Sequence, residues 1–286
     1  MNINDIPVHV VGPGSQPAEP DPLSYIDMPK DMQTFTPTYL DDPEAFDDLP
    51  DAREAMNWLK ASLDAAPSEG TSRLADLSGL DAASREIVNQ VLGEGEVSLT
   101  VNGSVAARCQ ESVLAGVWRT VLLDADGDVG RDLLEVSAVP TIVAFASETS
   151  KPVDTSVPEN AAEIPNALPI LIELESAVAE YAASGSVHSI NLSLLPLSEE
   201  EIEFIDARLG RGPVDILSRS YGKCQIISTA TANVWWVRYY NSMGTPILNS
   251  LEVVDVPEVV KAAREDLADS ASRLREILAP YRAAVA

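Results

Sequence analysis

The stretch Ser220–Glu265, SYGKCQIISTATANVWWVRYYNSMGTPILNSLEVVDVPEVVKAARE, is the densest run of aromatic, β-branched and Cys residues in an otherwise aromatic-poor chain. Its pattern reads as three strands separated by turns, followed by a helix from near Val256. A weaker copy of the same run lies at 108–142. Working outward, the copies extend. Asp76-Leu77-Ser78 matches Asn191-Leu192-Ser193, Leu92-Gly93-Glu94-Gly95 matches Leu209-Gly210-Arg211-Gly212, and Trp118 matches Trp235. Glu135-Val136 through Val139-Pro140 matches Glu252-Val253 through Val256-Pro257. Cys109-Gln110 and Cys224-Gln225 align only with a shift of two residues, which keeps a strand residue on the same face.

Local signals fill in each copy. In the first, Ala55, Met56, Leu59 and Leu63 recur at helical spacing, and a short strand follows at 72–77. Asp81 then stands as an N-cap before a helix ended by Gly93. Val97, Leu99 and Val101 alternate with polar residues, and Asn102-Gly103 marks a hairpin. In the second, Leu171, Leu174, Val178 and Tyr181 make a helix stripe and 187–192 reads as a strand. Ser198 with Glu201 forms a capping box, and Gly210 ends that helix. The expected fold is α+β: a tandem repeat of two helix-strand-helix-antiparallel meander modules with a long C-terminal helix. That last helix, over 256–281, carries the stripe Val260, Ala263, Leu267, Ala271, Leu274, Leu278 and Tyr281, and packing on its own module is its expected use. The expected boundaries are an acidic Pro-rich arm at 1–50, largely disordered or else docked on a folded surface through residues such as Tyr25, Phe35 and Phe46; a first module at 51–150; a linker at 151–165; and a second module at 166–286.

Composition narrows function. The 286 residues carry 19 Lys and Arg against 45 Asp and Glu, a formal net charge of -26. Such a chain repels phosphate backbones and anionic headgroups, so neither nucleic acid nor a membrane surface is an expected partner. A basic or positively charged partner is the electrostatic complement, and solubility alone explains the acidity as readily. The N-terminus has no basic region followed by a long apolar run, and no apolar stretch is long enough to span a bilayer. The expected location is cytoplasmic.

Candidate chemistry is sparse. Cys109, Cys224, His9 and His188 are the only thiols and imidazoles, too scattered for a zinc or iron–sulfur site made by this chain alone, so no cofactor is expected. Asp124, Asp126, Asp128, Asp132 and Glu135 imitate a calcium loop, but Val129 stands where the sharp bend needs Gly, and an acidic hairpin tip is the better reading. No nucleophile elbow or phosphate loop is present, and the chain is not expected to be an enzyme. In a strand, Trp235, Val237 and Tyr239 face one side and Trp236, Arg238 and Tyr240 the other. Trp236, Arg238 and Tyr240 are candidate partner contacts, with Cys224 a possible participant; burial of both strand faces in a layered fold is the alternative.

The runs Cys224–Thr231, Asn233–Asn241 and Ile247–Pro257, with Asn191–Leu197 and Leu217–Gly222, resemble the HupH/HyaF/HoxQ family of hydrogenase expression and formation proteins. The resemblance covers most of the chain from about Asp51 and brings no catalytic residues with it. It implies an accessory role: a chaperone for the iron–sulfur small-subunit precursor of [NiFe]-hydrogenase before assembly and export, beside a thioredoxin-like protein of the HyaE/HupG/HoxO type. The alternative is a cluster or metal carrier in which Cys109 and Cys224 converge.

Overall fold

Two strands that lie far apart in the chain, β2 (Val97–Val101) and β7 (Arg211–Ser218), pair antiparallel with Leu99 opposite Ile216. That pairing joins everything else. In the computed structural model, which describes residues 44–69, 72–146, 151–219 and 222–281, one ten-stranded sheet runs through the molecule. From β2 it continues outward through β3 (Ala106–Glu111), β4 (Val117–Leu123), β5 (Val129–Val136) and the edge strand β1 (Arg73–Asp76). From β7 it continues through β8 (Lys223–Thr229), β9 (Val234–Tyr240), β10 (Pro246–Val253) and the edge strand β6 (His188–Asn191). All neighbours are antiparallel. The fold is α+β with a C-terminal helix, and residues Thr38–Ala286 form one compact unit.

Strand pairing fixes which side chains share a face, because directly opposed residues point the same way. One face carries Leu134, Arg119, Gln110, Ser98, Leu217, Gln225, Arg238 and Asn249, each opposite the next across the sheet. Helices cover its two ends. At the first end α1 (Pro50–Glu69), α2 (Ala82–Leu92) and α6 (Arg264–Leu278) pack on Val117, Leu134 and Val136. At the other, α4 (Ala167–Ser184) and α5 (Glu199–Leu209) pack on Val234, Trp236, Leu251 and Val253. The predicted caps are present: Asp81 accepts from Ser84 N, and Ser198 with Glu201 closes its box.

The opposite face is covered by loops. After β5 the chain crosses it through Val139, Ile142 and Val143, the latter two in the short α3 (Ile142–Ala146); after β10 it crosses through Val254, Val256 and Val260. Trp118 and Trp235 anchor these crossings, donating Nε1 to the carbonyls of Ser137 (3.2 Å) and Val254 (3.2 Å). The second crossing corrects the expectation for the C-terminus. Val256–Ala263 is not α-helical, holding only a 3-10 turn at Glu258–Val260, and α6 packs against α1 at the first end of the sheet, where Tyr281 meets Phe46 with ring centroids 5.5 Å apart. An apolar stripe reports that a helix will be buried but not against which surface. The segment read as a linker likewise contributes Val153 and Ile164 to the core under α4 and α5. The rest of the N-terminal arm reading, up to residue 43, lies outside the described residues.

The Gly-x-Gly pairs have a steric reason. A Cβ on Gly212 would lie 2.3 Å from the Thr229 carbonyl oxygen, and one on Gly95 would lie 2.2 Å from that of Ser112. Backbone cannot yield as a side-chain tip can. Gly212→Ala is expected to cost roughly 2–3 kcal/mol, read as a lowered urea midpoint.

At the end of β3, burial lifts the carboxyl of Glu111 to about 7, opposed by the hydrogen bond it accepts from Gly116 N–H and reinforced by Glu96 and Asp266. A carboxyl raised in the folded state holds a proton that the unfolded chain has already lost. It therefore lowers stability as pH rises from about 4.5 to about 7. Glu111→Gln removes that slope. Relative to the native chain, the variant is expected to gain roughly 1–3 kcal/mol between pH 4.5 and pH 8, as read from denaturant midpoints at the two pH values.

Candidate functional site

Between the two helix groups, no helix among the described residues covers the middle strands on this face. Thr100, Arg108 and Lys223 are exposed, and Ser98, Gln110, Asp215, Leu217 and Gln225 are half-buried. A β-sheet face in a layered fold is normally covered. Here α2 and α5 stand on either side of a polar trough floored by β3, β2, β7 and β8. At its first end lies a cavity of about 530 Å³, walled by Asn89, Leu92 and Gly93 from the end of α2 and floored by Ser98, Arg108 and Arg119.

Asp132, 2% exposed, accepts both arms of Arg119, at 2.9 Å from Nε and 2.6 Å from Nη2. Arg85 on α2 approaches the same carboxylate at 3.9 Å. Arg108, one strand over, is exposed and has no ion pair or side-chain hydrogen bond among the described residues. Glu94 stands at the rim, and Asp215, two strands from Arg108, is held by Gln225 at 3.3 Å. Arg119 and Arg85 thus share one buried carboxylate, while Arg108 has no ion pair among the described residues.

The residues singled out from sequence lie at the other end of the trough. Trp235 and Trp236 do face opposite sides, and both are enclosed, at 1% and 2% exposure. Trp236 packs in the core under α4 and α5 and donates Nε1 to Asn249 Oδ1. Arg238 lies over its ring at 4.4 Å and reaches Asp206 of α5 at 3.9 Å. Tyr240 is half-buried, with Lys223 Nζ 5.3 Å above its ring. Of the set, Arg238 and Tyr240 reach the trough surface directly.

Cys109 and Cys224 share the opposite face, both buried. The path from one to the other runs through Leu99, Ile216 and Ile226, so two strands intervene and the lateral separation is about 14 Å. They do not converge as the carrier reading expected. Burial pushes the Cys109 thiol up to about 12 and that of Cys224 up to about 11, against hydrogen bonds from Thr120 and Tyr239. Cys109 lies opposite Thr120 on β4 and Cys224 opposite Tyr239 on β9. Among the described residues no group of three or more His, Cys, Asp and Glu is placed to hold a metal ion. Asp124 instead caps its hairpin tip, accepting from Asp126 N and Asp128 N, as Asn241 does from Met243 N and Thr245 N. His188 lies on an edge strand, 2.8 Å from Glu173.

Sequence reasoning missed Arg108 and Arg119. The signal was present, since Ser98 and Thr100 alternate with apolar neighbours in a strand that turned out to be central.

The candidate site is thus a polar, helix-flanked stretch at the middle of a ten-stranded antiparallel sheet. The family described as HupH hydrogenase expression protein, C-terminal conserved region, matches residues 51–156 and 164–281. The chain belongs to this family. It is 43% identical over 271 residues to the hydrogenase expression/formation protein HupQ of Azotobacter chroococcum, covering 93% of this chain and 94% of that one. It is 41% identical over 282 residues to HoxQ of Cupriavidus necator, covering 97% and 98%. A solved structure of HupH from Thiobacillus denitrificans is 34% identical over 40% of this chain and 95% of its own, with a TM-score of 0.39. The relatives' names place the family in hydrogenase maturation. No helix among the described residues is long and apolar enough to cross a membrane.

Proposed function

We propose that this chain is a non-catalytic chaperone that holds the iron–sulfur small-subunit precursor of [NiFe]-hydrogenase in the cytoplasm before assembly and export, beside a thioredoxin-like maturation protein. The observation that carries the reading is the uncovered middle of the sheet. Exposing polar and charged side chains across the central strands of a ten-stranded sheet leaves a long, rigid, hydrogen-bonding surface, of the kind that suits a polypeptide client. Family membership supplies the process. The buried, separated thiols of Cys109 and Cys224 favour this reading over a cluster carrier.

The two halves are, on the same reading, copies of one module. The strand order is the same counted outward from β2 and from β7, the family match falls on both stretches, and Trp118 and Trp235 make the same bond to the segment that follows the fourth meander strand.

Anaerobic co-purification with the small-subunit precursor, followed by light scattering on a sizing column, tests the function. A defined stoichiometric complex is expected. A well-produced precursor that elutes separately contradicts it.

A further inference from the structure

The two ends of the trough are corresponding places with opposite fates. Arg119 and Val121 on β4 stand where Trp236 and Arg238 stand on β9, each counted from the Trp that anchors a crossing segment. At the second end the indole of Trp236 fills the space beneath α5, and Arg238 closes it by stacking on that ring and reaching Asp206. At the first end no aromatic among the described residues lines the space beneath α2, and the ≈ 530 Å³ cavity is what remains. The aromatic-rich half is therefore the closed one.

The open end has a surplus of positive charge in a chain of net charge -26. Arg85 and Arg119 share Asp132, Arg108 has no ion-pair partner among the described residues, and the one carboxylate among the described residues that lines the cavity is the exposed Glu94. Asp132 fixes the guanidinium plane of Arg119 at the floor. Arg108 projects from the adjacent strand on the same face, where Thr100 opposes it. A guanidinium held in a partly enclosed site pairs with a carboxylate more strongly than one on open surface.

Resting on the chaperone reading, we propose that this cavity receives an aspartate or glutamate side chain of the client polypeptide, with Arg108 as its direct ion-pair partner and Arg119 as the fixed second charge. The trough's central strands then carry the neighbouring client residues, and the closed second end sets where the segment stops lying against the sheet.

The test uses the full chain co-produced with the hydrogenase small-subunit precursor. Arg108→Glu is expected to reduce the recovered complex at least tenfold, Arg108→Lys to leave it within about threefold, and Arg264→Glu, on the exposed start of α6, to leave it unchanged. Arg108 is exposed, so circular dichroism and the urea midpoint of Arg108→Glu should match the native chain. With p-benzoylphenylalanine in place of Thr100, light-induced crosslinks should map to a client segment bearing Asp or Glu. A complex that forms equally well with Arg108→Glu overturns the pocket and leaves the chaperone reading standing. Absence of any complex with the native chain overturns both. Crosslinks confined to residues 1–43 of this chain, which hold Asp5, Glu19, Asp21, Asp27, Asp31, Asp41 and Asp42, would make its own arm the occupant and overturn the assignment to a client.

Discussion

Trp236→Ala is expected to lower the stability of the chain by roughly 3–5 kcal/mol, because it empties a fully buried indole site rather than trimming a surface contact. The ring is 2% exposed, sits among Leu251, Val253 and the apolar faces of α4 and α5, and is capped by Arg238. Its removal would also leave Asn249 without the Nε1 donor. Urea denaturation followed by far-ultraviolet circular dichroism reads the effect directly. Any loss of client binding in this variant should track the loss of folded protein. Trp236→Phe, which keeps most of the volume, is expected to recover more than half of the lost stability.

Asp132→Ala should cost roughly 2–4 kcal/mol. The carboxylate is nearly inaccessible and takes two short bonds from Arg119, and Arg85 stands beside it. Removing it leaves Arg119 with no counter-charge in a site that is 22% exposed, so part of the penalty is relieved by water. Double replacement of Asp132 and Arg119 by Ala and Met should cost less than Asp132→Ala alone, since no uncompensated charge then remains. The same urea series checks both. A cost additive over the two positions would show that the pair acts independently and that Asp132 does not hold Arg119 in place.

Much of the fold was legible from local chemistry. Asp81, Ser198 with Glu201, Gly93 and Gly210 mark helix ends by capping, which is a property of a few adjacent residues. The Trp235/Trp236 alternation gave the two strand faces correctly because a strand has a period of two. β7 was harder to see. Gly212 and Pro213 break its pattern at the start, and it is a strand only because β2 and β8 flank it; the register shift between Arg211 and Asp215 absorbs the irregularity. The β2–β7 pairing and the return of α6 to α1 are contacts between distant segments, to which periodicity is blind. The aromatic run drew attention to Trp236 and Arg238 for the same reason that it proved to be the filled end: large side chains are what fill a site. The open end is written in Ser98, Thr100, Arg108 and Arg119, polar residues whose meaning depends on lying at the centre of a sheet instead of at its edge.

The most direct test is hydrogen–deuterium exchange of the purified complex with the small-subunit precursor, compared with the free chain. Slower exchange concentrated in β2, β3 and β4 and at the end of α2, with little change in β9 and β10, is the predicted result. Protection centred on β9 and β10, or none anywhere on the uncovered sheet face, would contradict it.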